Sequence, residues 1–417
     1  MKKVLSLIMI IALVMSVFAG CGGSSDEAKE VVIYQNKVEI HDQLSAFAAK
    51  YTEETGIKVT VKTSGGDSPY AENLKAEFQS DRQPDIFVIE GMGGYNTWET
   101  KLASFSGDEE WLGKTSLQFA VDGKVYGFPV AVEAWGMAYN KAILEKAGVD
   151  PATLTSQEAY RAAFEKIDGM KEELGLKSVV AMAAGPDMRW VTGLHNFNGY
   201  LSAGLEYGDT TVLDKLNSGE ADVDRLTEYA DWVELLFQYA DEAVLLTGNY
   251  DAQVGQFATQ EAAFVHQGNW IDPWLLSNGV DFEMGYAPHA SVYGEHNAIF
   301  IGAPSFYVLN NESANTQEAK DFLNYMAMNE AGHDYMVNEA KMIPAFTHVT
   351  LKPDAPLSAD VTNWVAKADG AYTWLQNDMP DGFGMGTIAP LYESFAKGDI
   401  DKAEFINQLK SKIEEIK

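Results

Sequence analysis

The chain of 417 residues contains a single cysteine, Cys21, so no intrachain disulfide is possible and packing alone must hold any core. It is also short of positive charge. Its 30 Lys and Arg stand against 61 Asp and Glu, for a formal charge of −31. Phosphate binding needs clustered Lys and Arg, so this balance argues against a nucleic-acid partner. The acidity is expected as a solvated surface. Catalytic signatures are missing as well. There is no G-x-S-x-G elbow, no H-E-x-x-H and no phosphate-cradling Walker loop. His289 and His296 are neighbours in sequence but lack partners at metal-site spacing, so neither a metal nor a cofactor is expected. Carboxylates are too many for spacing to single out a glycosidase pair. These absences favour binding over catalysis.

What is present begins with a leader. Lys2 and Lys3 precede an apolar run, Val4 to Gly20, that ends in small residues before Cys21. A spanning helix needs about 20 apolar residues and a suitable far flank, so residues 1–20 read as a secretory signal peptide. Cys21 after Ala19-Gly20 resembles the bacterial lipobox, with Phe18 where leucine is usual. That likeness implies lipidation at Cys21 and a Gly/Ser-rich tether over residues 21–30. The expectation is an extracytoplasmic domain on a bacterial surface or in a periplasm, touching the membrane only through its lipid.

From Val31 onward strands alternate with helices. VVIYQ is a β-branched run suited to a strand buried on both faces, and DIFVIE is another. Between them Ile40, Leu44, Phe47, Ala48 and Tyr51 recur at helical spacing before the stop at Gly56. This order predicts a parallel α/β sheet, with ligands beyond the carboxyl ends of its strands, near Asn36–Glu39 and Glu90–Tyr95. GMGG at Gly91–Gly94 is expected to be a tight turn. Residues 140–279 read as mostly helical, with an inward stripe of Leu226, Tyr229, Ala230, Val233, Leu236 and Phe237.

Five stretches then carry a resemblance, in one order: FAAKYTEETGIKVTV, QPDIFVIEGMGGY, YGFPVAVEAWGMAYNKAILEKAG, EAAFVHQGNWIDPWL and NTQEAKDFLNYM. Together they are similar to the family 1 extracellular solute-binding proteins, the sugar-capturing lipoproteins of ABC importers, and to maltodextrin binders among them. The resemblance covers nearly the whole mature chain. It implies a two-lobed α/β fold of the periplasmic-binding-protein type (type II), with three hinge crossings and a ligand cleft between lobes. The first lobe would span 31–131 and 290–341, and the second 136–283 and 348–417. The hinges would lie near 132–135, 284–289 and 342–347.

Carried over by position, the resemblance places Asn36, Lys37, Glu39 and Glu90 beside the ligand. It puts Glu133, a lone charge inside an apolar strand, at the hinge facing the cleft. It makes Trp270 the main stacking platform, with Trp190 a second and Trp135 and Trp274 weaker candidates. Asp187 stands where maltodextrin binders have an aromatic, which points away from a long stacked chain. The loop Asp378–Gly386 offers Phe383, with Met385 beside it. Sugar chemistry agrees, since aromatic faces cover ring C–H groups while carboxylates and amides satisfy hydroxyls, and Asp272 next to Trp274 joins the set on that ground. Removing Glu133 should then weaken sugar binding roughly ten- to a hundredfold and leave stability unchanged. A hinge carboxylate pairing only with a lysine would show the reverse. The reading is a non-catalytic, monomeric protein that captures an oligosaccharide and delivers it to ABC permease subunits. A binder of a non-sugar solute, a surface glycan-binding protein and a secreted glycosidase or lyase are the alternatives.

Overall fold

The computed structural model describes residues 29–416 apart from 66, 67 and 81. The leader, Cys21 and most of the tether lie outside the described residues. The described strands run in chain order as β1 (Glu30–Gln35), β2 (Lys58–Thr63), β3 (Ile86–Glu90), β4 (Leu102–Ala103), β5 (Phe119–Val121), β6 (Lys124–Pro129), β7 (Glu133–Asn140), β8 (Ser178–Ala181), β9 (Ala262–Gly268), β10 (Met284–Ala287), β11 (Ile299–Gly302), β12 (Ser305–Asn310) and β13 (Ala371–Thr373). They form two sheets, ordered β2-β1-β3-β12-β6-β5 and β13-β11-β7-β9-β8, with β4 on β12 and β10 on β7. Each sheet is wrapped by helices, and the two lobes of an α/β binding-protein fold result.

In the first lobe, β1 runs parallel to both β2 and β3, as the alternation of strands and helices predicts. The helix His41–Thr55 ends where Gly56 takes φ 76° and donates back to the Thr52 carbonyl. Its buried face supplies Leu44, Phe47 and Tyr51, and Phe47 stacks on Tyr335 at 4.9 Å. Burying each such side chain contributes about 1.5–3 kcal/mol. In the second lobe, Asp222 caps the helix Val223–Gln238, whose Leu226, Tyr229, Ala230, Val233 and Leu236 are buried as their spacing predicts, while Phe237 at the last turn is only partly buried.

The chain passes between lobes three times, but two passes differ from expectation. The first falls between Pro129 and Glu133, where β6 gives way to β7. The second is not at 284–289. Both β10 and β11 pair antiparallel with β7, so residues 284–302 stay in the second lobe and the chain leaves it between Gly302 and Ser305. The eight-residue β7 is long enough to hold β10 at one end and β11 at the other. The third pass comes later than 342–347. Ile343 pairs with Val132 at the hinge, yet Phe346 and Val349 return to the first core against Trp111 and Phe128. Ile343 touches the second core from the hinge, and the chain enters that core for good at Leu357.

Candidate ligand-binding site

The carboxyl ends of β1, β3, β9 and β13 converge on the seam between lobes, together with the first residue of β7. Asn36–Glu39 follows β1, and its turn is held from within. Gln35, fully buried, donates to the Lys37 carbonyl at 2.8 Å and accepts from the Lys37 amide at 2.6 Å. Lys37 is thereby aimed at Glu133, with which it forms an ion pair, and it lies 3.9 Å from Glu39. Asn36 donates to Glu90 at 3.0 Å. Three carboxylates therefore surround one ammonium. Burial works against the charged form of Lys37, but Glu133, Glu39 and Glu90 more than offset it and hold its pKa above the ordinary value. Burial pushes the carboxyls of Glu39 and Glu90 up, against the pull of Lys37.

The facing wall is aromatic. Trp270 lies 6.2 Å from both Trp190 and Trp374, and 4.9 Å from His195. Tyr250 sits 6.2 Å from Trp190. Trp190 and His195 lie on a π-helical segment, Trp190–Asn196, a winding often found at functional sites. That segment meets a second one, Phe383–Ile388, where a Cβ on Gly193 would fall 2.2 Å from the Gly384 carbonyl oxygen. His195 places Nδ1 3.0 Å from the Trp190 carbonyl, so this nitrogen carries the proton. Burial, then the charge of Lys37, lowers the His195 pKa to about 4, which leaves its other nitrogen an acceptor at neutral pH.

At the hinge end of the seam a cavity of about 20 Å³ is lined among others by Lys37, Glu39, Glu133, Asn269 and Trp270. That holds about one water, whereas ligand pockets run to roughly 300–1,000 Å³. A solute needs more room than this cavity gives, which parting of the lobes would supply. One close approach at the seam involves the backbone itself. Gly91 does not begin a tight turn but the helix Gly91–Trp98, and a Cβ on Gly91 would lie 2.7 Å from Asn377 and from Asp378. The Met92 amide donates to Asp378 at 2.9 Å across that approach.

Of the expected residues, Asn36, Lys37, Glu39, Glu90, Glu133, Trp190 and Trp270 are brought to this seam. The others differ. Asp272 is buried away from it and accepts from the amides of Leu357 at 3.1 Å and Ser358 at 2.7 Å, capping the helix Pro356–Val365. Burial raises its pKa to about 6 against those hydrogen bonds. Asp272→Ala should cost about 1–3 kcal/mol by orphaning two buried amides, with ligand affinity unchanged. A melting curve beside a binding titration checks this, and lost affinity at unchanged stability would contradict it. Phe383 is buried against Phe197 and serves the core, because the π turn rotates it inward. Met385 is exposed, and Asp187 is exposed on the turn leading to Trp190. Trp135 is wholly buried and stacks on Phe300 at 4.1 Å. Trp274 donates to Asp251 at 3.0 Å. Glu133 pairs with Lys37, as the hinge-carboxylate alternative requires, so the expectation that its removal leaves stability unchanged is reversed. Sequence reasoning missed Trp374, His195, Tyr250 and Asn269. The one available signal was that Trp374 directly follows a short β-favouring run, AYT.

Two α/β lobes joined by three chain passes, with aromatic and carboxylate walls meeting at the seam, define a two-lobed solute-binding protein. The chain belongs to the bacterial extracellular solute-binding proteins, whose family model matches residues 46–368. It is similar to the melibiose/raffinose/stachyose-binding protein of Bacillus subtilis strain 168, 22% identical over 350 residues that span 77% of this chain and 76% of that one. It is also similar to a maltooligosaccharide ABC transporter solute-binding lipoprotein of Streptococcus pneumoniae strain R6, 25% identical over 72% of this chain and 79% of that one. A Bacillus licheniformis sugar transporter protein, solved in complex with stachyose, shares the fold. Its TM-score is 0.74 at 17% identity, over 93% of this chain and 100% of that chain. Among the described residues no group of side chains could hold a metal, and no helix is long and apolar enough to cross a membrane.

Proposed function

We propose that this protein captures an oligosaccharide between its lobes, without chemically altering it, and delivers it to the permease of an ABC importer. It would do so as a monomer anchored by a lipid on Cys21. The observation that carries the reading is the meeting of two walls. Trp190, Trp270 and Trp374 offer faces for the C–H side of sugar rings, while Glu39, Glu90, Glu133 and Asn36 offer acceptors for hydroxyls. The names of the relatives support it, since the Bacillus subtilis protein is described as binding melibiose, raffinose and stachyose. Isothermal titration with raffinose, stachyose and maltotriose tests it. One of these should bind and reduce the radius of gyration in X-ray scattering, as lobes closing on a ligand require. Trp270→Ala should weaken that binding at least a hundredfold, by about 2.7 kcal/mol or more. Full affinity in the variant, or no sugar bound by the native protein, overturns the reading.

A second reading has one observation in its favour. Three carboxylates face a single lysine, a formal excess of two negative charges that suits a cationic solute. Spermidine belongs in the same titration series as the sugars.

A further inference from the structure

The ring proposed as the main platform has an unusually well-defined seat. A Cβ on Gly268 would fall 2.0 Å from Cζ3 and 2.3 Å from Cη2 of Trp270, so the indole lies directly on the backbone of the residue two before it. Its Nε1 donates to Gln267 Oε1 at 2.9 Å. Gln267 in turn donates through Nε2 to Gln253 Oε1 at 2.8 Å. Gln253 Nε2 then donates to the carbonyls of Ala181 at 3.0 Å and His266 at 3.3 Å. Both glutamines are buried.

This chain of amides can run in only one direction. Its far end is two backbone carbonyls, which only accept, so Gln253 must present its nitrogen to them and its oxygen to Gln267. Gln267 must then present its nitrogen to Gln253 and its oxygen to the indole. Two primary amides buried with partners at every step are costly to reorient, because any flip leaves donors facing donors. Contact with Gly268 fixes the plane of the ring, and the hydrogen bond fixes its rotation within that plane. The helix that carries Gln253, Tyr250–Ala258, also carries Tyr250 beside Trp190, so one element sets two parts of the aromatic wall.

We propose that Gln253 and Gln267 are positioning residues that set the orientation of the Trp270 ring, and through it the shape of the face offered to a ligand. The last clause rests on the sugar reading above, while the orientation itself does not. The test uses near-isosteric variants, Gln267→Met and Gln253→Met, in the otherwise native protein. In the absence of any ligand, the indole N–H of Trp270, followed by nitrogen-edited magnetic resonance, should exchange with solvent at least tenfold faster in Gln267→Met. It should exchange several-fold faster in Gln253→Met, which does not touch the ring. Should one variant fail to fold, the other carries the test alone.

With a bound sugar, Gln267→Met should weaken affinity about tenfold in the native background and less than twofold in the Trp270→Phe background, because its effect runs through the indole N–H. A purely structural role would give equal losses in both. Unchanged exchange in both variants, or equal losses in both backgrounds, overturns the proposal. Altered exchange in a protein that binds no sugar upholds the positioning role and rejects the sugar reading instead.

Discussion

Glu133→Ala should lower the stability of the protein by about 3 kcal/mol, the lower end of the cost of breaking a buried ion pair from one side. Lys37 is only 11% exposed and Glu133 is its close partner, with Glu39 farther away at 3.9 Å. Truncating Glu133 removes the one carboxylate in direct contact with the ammonium and leaves it with the more distant Glu39 and Glu90. Lys37→Met should cost a similar amount, because it leaves three carboxylates without their shared cation. The double variant Lys37→Met/Glu133→Leu should recover much of the loss, as apolar replacements of buried pairs commonly do. Urea denaturation of the three variants decides the matter. Additive losses in the double variant would mean that the two side chains do not depend on each other. The raised pKa of Lys37 sets the pH window, so the pair contributes in full below the unfolded lysine value near 10.4 and weakens only as pH climbs past it. Breaking an exposed bridge such as Lys141–Glu283 should leave stability nearly unchanged by the same measurement.

Acid should be more damaging than this. His266 and His289 are buried side by side, 5.8 Å apart, and neither ring nitrogen of either has a partner in the protein. Burial lowers the His266 pKa to about 3, with His195 lowering it further, and the His289 pKa well below the ordinary value, with His266 and His296 lowering it further. The unfolded chain takes up protons below about pH 6.5 that the folded chain refuses, so stability is full above that value and falls as pH drops. At pH 5 each histidine accounts for a loss of roughly 2 kcal/mol. Asp272, Glu39 and Glu90 run the other way, since their raised values favour the folded state as they protonate. His195, lowered to about 4, adds to the loss from the two histidines, so the net change from pH 7 to 5 is a loss of stability. His289→Leu should flatten the urea-midpoint profile by about one proton's worth of slope, roughly 1.4 kcal/mol per pH unit. A profile of unchanged slope in both His289→Leu and His266→Leu would rule this cause out.

The parts of the molecule that were legible in the sequence are those governed by local pattern. VVIYQ and DIFVIE announce buried parallel strands because nothing but a two-sided burial tolerates such runs, and both sit in the first sheet as read. The cleft residues at the ends of those strands follow from topology, which is why Asn36, Lys37 and Glu90 are brought together. What failed depends on partners far away in sequence. No hydropathy pattern tells that β7 holds β10 and β11 on successive halves of its length, so the second pass between lobes was placed too early. Asp272 read as a ligand group because it precedes Pro273 and Trp274, while the amides it serves are at Leu357 and Ser358, 85 and 86 residues on. Trp374 carries no periodic signal, and its place beside Trp270 exists only once β13 lies parallel to β11.

The contact of Gly193 with Gly384 has a consequence for how such a protein can change over generations. A side chain at 193 would meet the Gly384 oxygen at 2.2 Å, and one at 384 would meet the Gly193 oxygen at 2.7 Å and Leu194 at 2.4 Å. Neither position can vary unless the two strands of backbone separate, and substitution at one cannot be relieved by substitution at the other. The frame behind the aromatic wall is therefore closed to stepwise drift. Altered cargo preference must arise from replacing the rings that stand on that frame, Trp190 and Trp270, or the polar groups opposite, rather than from reshaping the frame itself.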